Sequence, residues 1–327
     1  MKNVSSLLFA LFLSLFLVGC APSAAPAQPT ETEAASPATV TVEKTKGEII
    51  SAEDADEYGG ADAYACAGDN AASRYYVNPD FFRMKSDGTL TIIEGFKTMQ
   101  QTTEWSCGNV SALMVLNHFG KADITEYELA VAMGSHTDQD VPDAVPGSAN
   151  SPGEYGTTVG QLYDYFSKLD GFTVVETSYR ADFSQEELLT SEDGVTDADV
   201  GNLPPTFSPM SLYASENSDT TESWVEDAKD SFFVRWLLSN LEAGRPIMVE
   251  WCDWDGHWQV IIGYDSNGTP GIGDDILILA DPYDTSDHWQ DGYYYYPLER
   301  WFYMWNDRGV VPKPYQLQSY IIVDKAD

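Results

Sequence analysis

The chain has 327 residues, 43% of them hydrophobic, which is enough for one large domain or two small ones with a real core. Its 52 acidic side chains against 17 Lys and Arg leave a formal charge of −35. That balance argues against nucleic acid as a partner and against docking on anionic lipid by charge alone. It attracts basic peptides, or simply keeps an extracellular protein soluble.

Residues 1–19 hold one positive charge and an apolar run from Leu7 to Val18, too short for a confident span and of signal-peptide length. Leu17-Val18-Gly19-Cys20 resembles the lipobox of bacterial lipoproteins. The resemblance implies cleavage before Cys20, acylation of its sulfur and a protein held at the extracytoplasmic face of a cell membrane. Ordinary secretory cleavage or an uncleaved anchor are the alternatives. Residues 20–48, rich in Ala, Pro, Thr and Ser, bury too little to offset their ordering entropy and read as a disordered tether. Residues 49–95 read as an N-terminal extension, with a strand over Thr89–Glu94, before a domain over residues 96–327.

In that domain the spacing predicts a buried helix from Cys107 to Gly120, with apolar residues filling a wide face. A short helix follows over Thr125–Met133, with Thr125 and Glu128 as a capping box. An amphipathic helix over Val159–Leu169 leads into a strand at Phe172–Thr177, and Ser184–Leu189 looks helical. Residues 193–227 are polar and aperiodic, a long surface insertion. Then come a helix over Phe232–Glu242 and strands at Ile247–Trp251, Gly256–Tyr264 and Ile276–Ala280. Tyr293–Tyr296 and Tyr320–Val323 are further strands, with a short helix over Leu298–Trp305 between them. A helical first half followed by an antiparallel sheet is the α+β class.

Chemistry concentrates at Cys107. A thiol in the first turn of a helix meets converging backbone N–H groups and the positive end of the dipole, which favour its thiolate. Gln101, six residues earlier, can point an amide N–H at an oxyanion formed beside that sulfur. A thiolate needs an imidazolium partner, and His257 opens one strand while Asp281 ends the next, neighbours if the two pair antiparallel. His118 lies about 16 Å along the helix from Cys107, too far to serve. His136 and His288 sit in loops, and His288 is the rival base. Trp105, Trp254 and Trp258 flank these residues and line a groove or pack in the core. Cys66 and Cys252 could pair outside the cell. No spaced Cys/His set supports zinc. The loop Asp265–Ile276 fails as a calcium loop at Pro270 and Ile276. No cofactor or metal is expected.

Taken together, Gln101…Cys107-Gly108, GRPIMVEW, GHWQVIIGYD and LADPY resemble the bacteriocin-peptidase-like branch of papain-fold cysteine peptidases, over roughly Phe96–Trp305. Asn109 departs from that pattern, which carries proline after Cys-Gly. The resemblance implies a papain-like cysteine peptidase fold, with the cysteine on the helical half and His and Asp on the sheet. It implies Cys107 as nucleophile, His257 as general base and acid, Asp281 as its orienting partner, and Gln101 with the Cys107 N–H as oxyanion donors. The activity implied is hydrolysis of a peptide or isopeptide bond through a thioacyl-enzyme. An acyl or peptidyl transferase using the same site, or a non-catalytic peptide-binding domain, are the alternatives. The expected partners are a peptide or protein substrate, basic or cell-wall-derived, and the membrane through Cys20, for a monomer.

Overall fold

In the computed structural model, residues 79–103, 105–135, 156–180, 205–253, 256–284, 291–306 and 316–326 are described. All of them fall in one compact unit. The leader, Cys20, the tether, Cys66, the Ser184–Leu189 segment, His136 and His288 lie outside the described residues.

The architecture is α+β: five helices and seven antiparallel strands among the described residues. The strands are β1 (Leu90–Ile92), β2 (Phe172–Thr177), β3 (Ile247–Trp251), β4 (His257–Asp265), β5 (Ile276–Ala280), β6 (Tyr293–Pro297) and β7 (Ser319–Lys325). They run in the order β2-β7-β3-β4-β5-β6, with β1 also paired to β4. β3 lies between β7 and β4 and is buried along its whole length, as its continuous apolar run requires. Because β3 pairs with β4 from Val260 back to His257, and β5 pairs with β4 through Ala280↔Val260, the histidine and the aspartate arrive at the same end of the sheet. Gly263 sits where β1 and β5 flank β4; a Cβ there would lie 3.0 Å from Ile278 Cδ1 and 3.2 Å from the Thr91 carbonyl.

The helices are α1 (Cys107–His118), α2 (Glu126–Met133), α3 (Val159–Lys168), α4 (Phe232–Glu242) and α5 (Leu298–Met304). Every residue of α1 from Cys107 to Leu116 is buried, so this helix has no solvent face and packs within the core, with Ser111 Oγ donating to the Trp258 carbonyl of β4 at 3.1 Å. α2 and α3 both open on complete capping boxes, Thr125 with Glu128 and Thr158 with Gln161. No helix among the described residues is long and apolar enough to cross a membrane.

Two segments are joined to the domain through contacts far along the chain. β1 is hydrogen-bonded into the sheet against Gly263–Asp265, so the described end of the 49–95 extension is part of the domain rather than laid on it. The insertion expected over residues 193–227 is not merely surface decoration in its described part, residues 205–227. Phe207 and Leu212 are fully buried there, and the Phe207 ring meets Phe233, Trp236, Trp305 and Tyr320 at centroid distances of 4.7–6.2 Å. A few large apolar residues inside a polar stretch carry no periodicity, yet they suffice to anchor it.

Candidate active site

The first part of the site is the turn between Gln101 and Cys107. Thr103 folds it: its hydroxyl accepts from the backbone N–H of Ser106 at 3.1 Å and donates to Ser106 Oγ at 2.8 Å. Gln101 is 1% exposed, its Nε2 donates to the Thr103 carbonyl at 2.7 Å, and its Oε1 finds no partner. The backbone N–H of Gln101 donates to the Pro282 carbonyl at 2.8 Å, which ties this turn to the residue after Asp281. Ser106 then leads into α1, where the backbone N–H groups of the first turn have no intrahelical acceptor.

Cys107 is followed by glycine for a steric reason. A Cβ on Gly108 would come within 2.5 Å of Thr157 Cβ. Asn109, the departure from the pattern, donates to Ser135 Oγ at 2.6 Å, and Ser135 is within 2.9 Å of Thr157 Oγ1. The side chain therefore secures the helix start to the residues on either side of the undescribed 136–155 stretch, a polar anchorage that proline could not supply.

The second part comes from the sheet. His257 Nε2 lies 2.7 Å from Asp281 Oδ1, both side chains being almost wholly buried. Nε2 is thereby committed to Asp281, which leaves Nδ1 as the ring nitrogen open to a second partner. Burial pulls the His257 pKa down, but the Asp281 charge and hydrogen bond, with a contribution from Cys107, outweigh it and hold the imidazolium form. Burial likewise acts to raise the Asp281 pKa; the His257 charge and the N–H groups of Tyr283 and Asp284 reverse this, and the net direction is down.

Asp281 has a further partner that the motif pattern does not mention. Gln259 Nε2 donates to Asp281 Oδ2 at 2.7 Å, and Trp251 Nε1 donates to Gln259 Oε1 at 2.7 Å. An indole N–H can only donate, so Trp251 fixes which way the Gln259 amide faces, and Gln259 in turn requires an acceptor at 281. The one signal in the sequence was a lone glutamine inside an otherwise apolar strand, two residues after His257.

The Gln101–Cys107 turn is thus tied to the strand end that carries Asp281, and Asp281 holds His257. Trp258 does not join them as a groove residue: it is 1% exposed, with its Nε1 donating to the Thr157 carbonyl at 2.7 Å, so it packs in the core. Trp105 is 8% exposed within the Gln101–Cys107 turn, and Trp254 lies outside the described residues. His118 stands apart, 3.0 Å from the Gly244 carbonyl, with its pKa lowered first by burial. Among the described residues no cluster of His, Cys, Asp or Glu could hold a metal ion.

A buried imidazole oriented by a carboxylate is suited to acid–base work, and a thiol at a helix start to nucleophilic attack. A model described as the Peptidase_C39 like family matches residues 93–309, a span that runs from the end of β1 past α5 and includes all four of these residues. No curated protein matches the chain.

Proposed function

This chain belongs to the Peptidase_C39 like family, and from that premise we propose that it is a papain-like cysteine peptidase cleaving a peptide or isopeptide bond through a thioacyl-enzyme. The observation that carries the reading is the buried His257–Asp281 pair, with the turn ahead of Cys107 tied to the residue after Asp281 through the Gln101 N–H and the Pro282 carbonyl. In the acylation step the Cys107 thiolate attacks the substrate carbonyl and forms an S–C bond. The oxyanion is met by the Cys107 backbone N–H and by the second Nε2–H of Gln101, the first being given to Thr103. As the C–N bond breaks, His257 passes its Nδ1 proton to the leaving amine. Water then attacks the thioester, His257 takes a proton from it, and the C–S bond breaks to release the acid and the thiol. Asp281 stabilises the imidazolium and holds the ring by Nε2 throughout. The net charge of −35 favours basic peptides over acidic ones as substrates.

The proposal extends to the leader. Cleavage before Cys20 and acylation of its sulfur would hold the peptidase at the extracytoplasmic face of the membrane, and incorporation of labelled palmitate that survives Cys20→Ala would remove this part. The test of the activity is a peptide-library digest with wild type and Cys107→Ala, read by mass spectrometry. Products that require Cys107 support the reading, and their termini separate hydrolysis from transfer to an amine. Identical spectra from the two proteins would end it.

A further inference from the structure

Glu126, the first residue of α2, is 1% exposed, and no lysine or arginine among the described residues pairs with it. Burying a carboxylate without a cation is costly, so its presence calls for a reason. Starting the helix is not that reason, because the Thr125–Glu128 capping box already does it. All of its hydrogen bonds run instead to the turn ahead of Cys107. Oε1 accepts from the Thr102 backbone N–H at 3.1 Å and from Ser106 Oγ at 2.6 Å, and Oε2 accepts from Thr102 Oγ1 at 3.0 Å. Thr102 adjoins Gln101 and Ser106 adjoins Cys107, so one carboxylate grips both ends of the turn. From Ser106 the contacts continue through Thr103 Oγ1, and the Thr103 carbonyl holds the Gln101 amide.

Resting on the peptidase reading above, we infer that Glu126 is a positioning residue that sets the Gln101 amide and the Cys107 N–H at the spacing an oxyanion needs. It touches neither substrate nor sulfur. Burial raises its pKa to about 7, and the Ser106 and Thr102 hydrogen bonds oppose that rise. Glutamine preserves the geometry of these bonds. Its Oε1 can accept from the Thr102 N–H and Ser106, while its Nε2 donates to Thr102 Oγ1, which then acts as acceptor. Alanine removes the acceptor that Glu126 offers to the Thr102 N–H and the Ser106 hydroxyl, and the turn is free to relax.

The experiment compares two reactions of the same thiol. p-Nitrophenyl acetate acylates Cys107 through a tetrahedral oxyanion, forming S–C and releasing p-nitrophenolate as a burst. Iodoacetamide alkylates the same sulfur by displacing iodide, and no oxyanion forms. Glu126→Ala is expected to slow the burst roughly 10- to 100-fold while alkylation changes less than about threefold. Glu126→Gln is expected to restore the burst to within about threefold of wild type. If Glu126→Ala does not fold, Ser106→Ala takes its place, with the same split between the two reagents expected. A burst-to-alkylation ratio unchanged in these variants, or Glu126→Gln as slow as Glu126→Ala, overturns the inference and leaves the peptidase reading intact. A wild-type chain with no Cys107-dependent burst overturns both.

Discussion

The polarity of the contacts behind Asp281 can be tested by pairing Trp251→Phe with Asp281→Asn. In the wild type, Trp251 donates to Gln259, Gln259 donates to Asp281 Oδ2, and Asp281 Oδ1 accepts from His257 and from the Tyr283 N–H at 2.8 Å. Asparagine at 281 keeps one acceptor. With that oxygen toward His257, its Nδ2 confronts Gln259 Nε2, two donors at a place where both residues are fully buried. Turning the asparagine over only moves the conflict to the Tyr283 N–H. Trp251→Phe alone leaves Gln259 Oε1 without its donor. In the double variant Gln259 is free to turn over, its oxygen accepting from Asn at 281, and a single donor remains unpaired. The two single variants together orphan three polar groups and the double variant one. At ~1–3 kcal/mol for each buried orphan, the double variant should be more stable than the sum of the singles by about 2–6 kcal/mol. Urea unfolding of the four proteins at pH 7 measures this, and the loss of indole packing cancels in the cycle. Additivity to within ~0.5 kcal/mol would refute the reasoning.

Three further outcomes follow from features of the fold. Glu126 has its pKa raised by burial from 4.5 to about 7, so its protonated form favours the folded state; its stabilising effect is complete below pH 4.5 and lost as pH climbs to 7. At ~1.4 kcal/mol per pH unit this is about 3 kcal/mol, and unfolding curves of wild type minus Glu126→Gln across pH 4.5–7 should show it; a flat difference contradicts it. Gly108→Ala should cost about 1–3 kcal/mol through its clash with Thr157, and Thr157→Gly should recover part of that loss in thermal unfolding. Phe207→Ala should destabilise the whole domain by ~3–5 kcal/mol, whereas a merely decorative insertion would leave the denaturant midpoint unmoved.

Much of the fold was legible because its elements carry strong local signals. Ile247–Trp251 and Ile276–Ala280 are short apolar runs between turn residues, and Thr125 with Glu128 marks a helix start by side-chain chemistry alone. The pairing of His257 with Asp281 was legible through the expected antiparallel pairing of adjacent strands. What escaped were side chains whose role depends on a neighbour far along the chain. Nothing near Glu126 announces that it reaches back 20 residues to Ser106, and a helix-start glutamate ordinarily faces water. Gln259 shows only as a polar residue in the wrong place until Trp251, eight residues earlier, is seen across the β3–β4 ladder. For Trp258 the sequence left groove and core equally open, for the same reason. Proximity to His257 in sequence does not tell which adjacent side chain faces an opening, and the Thr157 carbonyl that holds its indole lies 101 residues away.

The attachment of β1 also bears on how the protein is handled. A version of the chain trimmed to begin at residue 93, where the family match starts, would strip Leu90–Ile92 from Gly263–Asp265. The uncovered backbone would then be open to recruiting an edge from another molecule, so a soluble recombinant fragment should begin upstream of Asp87, which accepts from the Thr89 and Leu90 N–H groups and steers the chain into that pairing.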